Sequence, residues 1–138
     1  MSEPDLNPES SPRRSAAWLW GLAGDVVLVL VFAAAGRASH EREISVVGVL
    51  ETAWPFLAAL VAGWLVLRGW AAPAATLRTG VPLWAITVTG GMALRALSGS
   101  GVSLPFVIVA AATLLLFLVG WRLVAALVVR SRSRRAAG

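Results

Sequence analysis

Ionisable side chains inside long apolar segments are the residues of this sequence that could do chemistry. Asp25 lies within the apolar run from Trp18 to Ala35, Glu51 lies near the start of a second run, and Arg122 interrupts the last one. A lone charge at bilayer depth costs at least about 2.5–3.5 kcal/mol, so such residues usually serve a purpose. They are therefore the first candidates for a proton or ion site, or for an ion pair that fixes helix packing.

The depths of Asp25 and Arg122 predict that these two side chains pair. Asp25 lies about two helical turns beyond Trp18, and Arg122 lies about two turns before Arg130, so both fall at a similar level. Two interpretations remain open at this point. The pair could set the register of the first and last helices, or Asp25 could carry protons or ions.

A second polar group is expected at the boundary where the first and third helices end and the second helix begins. Arg37, Glu51 and Arg95 lie near one boundary of the apolar runs, with Ser39 and His40 in the adjoining segment. One acid between two arginines leaves a local positive excess. These side chains could extend toward water and fix helix depth, or Arg37 and Arg95 could be the donors of a small anion-attracting pocket.

Motifs for enzymatic chemistry are scarce. The sequence has no cysteine and one histidine, which excludes disulfides, iron–sulfur clusters and thiol catalysis and argues against zinc. It lacks Ser-x-x-Lys, Gly-x-Ser-x-Gly and His-Glu-x-x-His spacings. Ser39, His40 and Glu41 could be drawn as a nucleophile and a base, but sequence neighbours rarely meet that geometry. We therefore expect no enzyme and no cofactor.

The composition predicts an integral membrane protein. Hydrophobic residues make up 58% and charged residues 14% of the 138 positions, whereas a soluble domain has about a quarter charged. The net charge of +5 comes from arginines at the ends of apolar runs, which helix orientation explains better than nucleic acid does. The expected partner is the lipid bilayer. A second copy of the chain or another membrane protein is a further candidate partner.

Four segments that are long enough to span a bilayer must position the polar residues. The fold class expected is all-α, a four-helix transmembrane bundle, with helices at about 16–35, 46–67, 81–97 and 104–129. Residues 1–15 are expected to form a disordered cytoplasmic tail and residues 130–138 a basic one. The first run could resemble a cleaved signal peptide, but it is longer than a typical signal core and contains Asp25.

Small residues predict which helix faces pack. One side of the second helix is expected to face the bundle interior, because small residues permit close helix approach in lipid. This side carries Glu51, Pro55, Ala58, Ala62 and Val66. In the third helix, Gly90-Gly91 favours tight packing over a flexible point.

The distribution of arginines predicts the orientation. An even number of crossings places both termini on one side, together with most of the arginines: Arg13, Arg14, Arg68, Arg78 and those of the C-terminal tail. The positive-inside rule then places both termini in the cytoplasm. All 12 basic residues are arginine, which, with abundant Ala, Val and Leu, indicates a high-GC bacterial genome and hence a bacterial inner membrane.

Several of these residues together resemble a known family. They are Asp25, the Gly36-Arg37-Ala38-Ser39-His40 segment, Pro55-Phe56, Gly63-Trp64, Arg95, Phe106 and Trp121-Arg122. The pattern is similar to that of the bacterial membrane family designated domain of unknown function 3054, over about Asp25 to Arg122. The resemblance implies a small multi-spanning membrane protein and no assigned activity.

Two functional hypotheses follow. The first is a non-enzymatic accessory or structural component of the membrane, which the lack of catalytic spacings favours. The alternative is a small oligomeric transporter or channel that uses membrane-embedded Asp25 and Glu51.

Overall fold

The computed structural model describes residues 16–138, so the expected disordered tail at 1–15 lies outside the described residues. Four helices make up most of this part: α1 (Ala17–Ser39), α2 (Val46–Leu67), α3 (Val81–Leu97) and α4 (Leu104–Ala137). All four segments are long and apolar enough to cross a membrane, the third when counted from Thr76. Residues 16–138 contain no strand. The predicted all-α four-helix transmembrane bundle is confirmed.

Two helices are longer than the sequence indicated. α1 continues through Ser39, because the Gly36–Ser39 segment keeps helical geometry and the Ser39 hydroxyl donates to the Gly36 carbonyl over 3.0 Å. α4 continues to Ala137, since serine, arginine and alanine all tolerate a helix. The basic segment from residue 130 is thus helical.

The connection between α2 and α3 is folded rather than extended. α2 ends at Leu67, and the next residue, Arg68, adopts a left-handed conformation with φ 51°. A 3₁₀ turn at Gly69–Ala71 follows, and a π-helical turn at Thr76–Gly80 leads directly into α3. This connection contacts α1 and α4 as well as its neighbours. It therefore belongs to the packed bundle.

Glycines bring α2 and α3 into close contact. A Cβ on Gly91 would overlap the Phe56 ring, at 2.7 Å from its Cε1 atom, and a Cβ on Gly63 would lie 2.8 Å from Leu83 Cδ1. The close approach agrees with the packing interpretation of Gly90-Gly91. Phe56 and Leu83 join a core of buried apolar side chains that also includes Val29, Phe32, Leu60, Leu114 and Leu118.

The predicted inward face of α2 is wrong. Glu51, Ala58 and Ala62 are exposed, and Val66 is 75% exposed; of that set only Pro55 is buried. The buried side carries larger residues, Phe56, Leu60 and Trp64, together with Ala53 and Gly63. Large side chains contribute more contact area, and Gly91 of α3 leaves room for the Phe56 ring.

Candidate functional site

A single ion pair is buried within the bundle, beside the α2–α3 connection. Arg122 of α4 donates from Nη1 to Asp25 Oδ1 over 2.9 Å and from Nη2 to Asp25 Oδ2 over 2.7 Å. Both side chains are fully buried, and no other ion pair occurs within residues 16–138. The expected pairing of Asp25 with Arg122 is therefore confirmed. The fork-like geometry is the strongest arrangement available to arginine and a carboxylate.

Two tryptophans complete the bonding of the carboxylate. The Trp64 indole donates from Nε1 to Asp25 Oδ2 over 3.0 Å, and the Trp121 indole donates to Oδ1 over 2.8 Å. Asp25 therefore accepts four hydrogen bonds, two on each oxygen. An ionised carboxylate offers about four acceptor positions, so its capacity is filled. We call Asp25, Arg122, Trp64 and Trp121 the central cluster.

The remaining donors of Arg122 reach backbone carbonyls. Its Nε donates to the Pro73 carbonyl over 2.9 Å, and Nη1 also donates to the Leu118 carbonyl over 2.6 Å. Four of the five N–H bonds of the guanidinium are thus used. Because Pro73 lies in the folded α2–α3 connection, the cluster ties that connection to α1, α2 and α4.

Glycines make room for the large side chains of the cluster. A Cβ on Gly80 would lie 2.8 Å from Arg122 Cδ, and a Cβ on Gly69 would overlap the Trp64 ring. The Trp121 ring lies beside the guanidinium of Arg122, with its centroid 4.4 Å from Cζ. Gly69 and Gly80 therefore leave the space that the Trp64 ring and the Arg122 side chain fill.

A cleft lies at the opposite end of the bundle from the C-terminus, between the loops 40–45 and 98–103. It has a volume of about 650 Å³ and is lined by Arg37, Arg42 and Arg95, together with polar and aromatic side chains. We call this cavity the arginine cleft. Arg37 donates from Nε and Nη2 to the Glu43 carbonyl over 3.2 and 3.0 Å, and from Nη1 to Thr52 Oγ1 over 3.4 Å.

Arg95 is held differently. Its Cζ lies 4.5 Å from the centre of the Phe106 ring, and Nη2 donates to the Ser100 carbonyl over 3.3 Å. Its Nε is buried and has no hydrogen-bond partner within residues 16–138. The guanidinium thus retains most of its donors.

The structure brings together most of the other predicted polar residues. Ser39 and His40 line the arginine cleft with Arg37 and Arg95. Glu51 does not line it, and its side chain is exposed on α2. The expected group of Arg37, Glu51 and Arg95 therefore reduces to the two arginines, because Glu51 turns away from the bundle.

Aromatic side chains separate the cleft from the central cluster. Phe32, Phe56 and Phe106 have ring centroids 5.3–6.4 Å apart, and Phe32 and Phe106 also line the cleft. Buried Val29, Leu60 and Leu114 continue the packed core. The two polar regions are thus distinct.

Sequence reasoning did not identify the two indole donors or the Pro73 carbonyl as partners. The available signal was the position of Trp64 after Gly63 and of Trp121 before Arg122. A buried indole N–H usually requires an acceptor, and Asp25 is the only acid within the apolar part of a span other than Glu51.

Comparison with known proteins places the chain in one family. Residues 22–125 match the family described as Protein of unknown function (DUF3054), a match that includes Asp25, both cleft loops and Arg122. No curated protein and no solved structure matches the chain. Since the match covers most of its length, the chain belongs to the DUF3054 family.

Proposed function

We propose that this multi-pass membrane protein is a non-enzymatic structural or accessory component of a bacterial cytoplasmic membrane. The observation that carries the proposal is the complete bonding of Asp25, the one buried acid of the described spans. A carboxylate that exchanges protons needs a free acceptor position in at least one state. Here each oxygen already accepts an arginine and an indole hydrogen bond.

The cost of removing the charge supports a packing role. Protonation of Asp25 would leave Arg122 as an uncompensated buried cation and would displace at least one donor. The guanidinium also holds the Pro73 carbonyl, so a change at Asp25 would loosen the α2–α3 connection. These contacts favour a fixed centre that sets helix register.

Transport through Asp25 and Glu51 has less support. Asp25 contacts Trp64, which lies thirteen residues after Glu51 and so about 20 Å along the α2 axis. Glu51 is exposed on the outer side of that helix. Phe32, Phe56 and Phe106 pack between the arginine cleft and Asp25. The hydrogen bonds of Asp25 run to Trp64, Trp121 and Arg122, and none of them leads to Glu51.

Proton flux tests this proposal. The purified protein in liposomes is expected to acidify the lumen no faster than protein-free liposomes under an imposed pH gradient, as followed by an entrapped pH-sensitive dye. The double variant Asp25→Leu with Arg122→Met removes both charges together. Its liposomes are expected to acidify no faster than protein-free liposomes. Flux through the wild-type protein that disappears in a folded double variant would contradict the proposal.

The orientation is a second part of the proposal. We infer that both termini lie in the cytoplasm, and the exposed Arg68, Arg78 and the basic end of α4 support this by the positive-inside rule. Ser39 and Ser133 are exposed at opposite ends of the bundle, and the chain has no cysteine of its own.

Cysteine labelling measures the orientation directly. In intact cells, a membrane-impermeant maleimide is expected to label Ser39→Cys, whereas Ser133→Cys should react only after permeabilisation. Ser100→Cys, in the second cleft loop, is the matched control and should label like Ser39→Cys. The reverse pattern would show that the termini face outward.

A further inference from the structure

We propose that the arginine cleft binds an anionic phosphate group that is attached to an apolar body. The site lies at the ends of all four helices, between the loops 40–45 and 98–103. The site is separate from the central cluster. A binding function for it is additional to the structural role proposed for that cluster.

The size and walls of the cleft suit such a ligand. Its volume of about 650 Å³ falls in the range of small-molecule pockets, about 300–1,000 Å³. Phe32, Pro105, Phe106 and Val109 form its apolar wall. Sites for amphiphilic ligands combine such a wall with a few polar groups that fix orientation.

The charge of the cleft is positive and lacks a counter-ion. Arg37, Arg42, Arg95 and His40 line it, whereas no carboxylate does. No acid forms an ion pair with any of these arginines within residues 16–138. Guanidinium groups bind phosphate and carboxylate oxygens through paired, charge-assisted hydrogen bonds. An anion in the cleft would therefore meet arginines that form no ion pair within residues 16–138.

Two of the three arginines of the cleft are held in place with donors to spare. Three hydrogen bonds fix Arg37, and the Phe106 ring and Ser100 carbonyl fix Arg95, which uses one of its five N–H bonds. The Arg42 side chain has no hydrogen bond within the described part of the chain, so it is free to close over a ligand. Two ordered arginines beside a third, unbound one form a pre-arranged anion site.

The position of the cleft favours a membrane source for the anion. The cleft lies where the apolar segments end, which is the level of lipid headgroups. A headgroup phosphate could reach the arginines while its chains lie against Phe106 and Val109. A soluble phosphate could reach the same donors but would leave the apolar wall uncovered.

Binding measurements on the full-length protein in detergent test the site. Calorimetric titration with dioctanoyl phosphatidic acid is expected to show saturable binding, and dioctanoylglycerol, which has the same chains without the anion, should bind far more weakly. Arg95→Gln and Arg42→Gln are each expected to weaken binding by about tenfold or more, as expected for loss of a charge-assisted contact. Arg78→Gln, an exposed arginine outside the cleft, should leave the affinity unchanged.

Competition distinguishes the two sources of the anion. If inorganic phosphate fails to displace dioctanoyl phosphatidic acid, the ligand is an amphiphile; if it displaces the lipid in wild type and not in Arg95→Gln, the site takes soluble anions as well. Arg42→Gln keeps the proposal testable should Arg95→Gln unfold, because the Arg42 side chain holds no other element. Equal affinities for wild type and the folded cleft variants, or no saturable binding of either anion, would overturn the proposal.

Discussion

Replacing Asp25 by Asn is expected to lower the free energy of unfolding by about 3–5 kcal/mol, the usual result of removing one partner of a buried ion pair. The variant leaves the Arg122 guanidinium buried without a counter-ion, and the amide presents N–H groups to at least one of the donors from Arg122, Trp64 and Trp121. Unfolding in mixed detergent and sodium dodecyl sulfate, followed by tryptophan fluorescence, measures the change. The fluorescence is informative because two indoles contact the carboxylate.

The double variant Asp25→Leu with Arg122→Met is the decisive control. Replacing both charges by apolar residues removes the uncompensated ion, so this variant is expected to recover most of the stability lost in the single variants Asp25→Leu and Arg122→Met. Glu51→Gln, which alters an exposed acid, is expected to stay within about 0.5 kcal/mol of wild type. If the losses of the two single variants simply add in the double variant, the pair does not act as a unit.

Replacing Gly91 by Ala is expected to destabilise the protein by about 1–3 kcal/mol, because the added methyl group overlaps the buried Phe56 ring. That ring also packs edge-on against Phe32, with centroids 5.3 Å apart, and so cannot move freely. The same unfolding titration measures the effect.

Gly24 provides a matched glycine in a helix. A Cβ at this position meets no atom within 4 Å, so Gly24→Ala is expected to leave stability unchanged or to raise it by up to about 1 kcal/mol. Equal losses for the two alanine variants would show that the close contact of α2 and α3 at Gly91 is not tight.

The central ion pair could be predicted from the sequence because two simple quantities define it. The rise of a helix fixes the depth of Asp25 and Arg122, and the cost of a lone charge in lipid requires a partner. The indole donors could not be predicted in the same way. Seven tryptophans are present, and tryptophan near the end of a span is commonly an interfacial residue rather than a hydrogen-bond donor to a buried acid.

The error at α2 has a different cause. In a helix that is apolar on nearly all sides, a stripe of small residues does not identify the buried face, since lipid accepts small and large apolar side chains alike. Glu51 lies within the first two turns of α2, where an exposed carboxylate can reach water, so it provided no inward constraint. The burial of Phe56 and Trp64 depends on glycines in other segments, Gly91 and Gly69, which a reading of α2 alone does not reveal.

The arginine cleft was predictable only in part. Arg37 and Arg95 were expected near one boundary, and the structure places both in one cavity. The shape of that cavity depends on the loop 98–103, where Gly99 and Gly101 adopt φ values of 74° and 75°. Such left-handed positions are compatible with glycine, but the path of the loop over Phe106 results from tertiary packing.

The length of α4 has a consequence for the basic end of the chain. Its 34 residues extend about 50 Å, whereas the hydrocarbon layer is about 30 Å thick, so the last turns stand outside the lipid as an unbroken rod. The bonds of Arg122 fix how this rod is rotated about its own axis. Arg130 and Arg134, one turn apart, therefore leave this rod on one side, and that side has a fixed orientation relative to the other three helices.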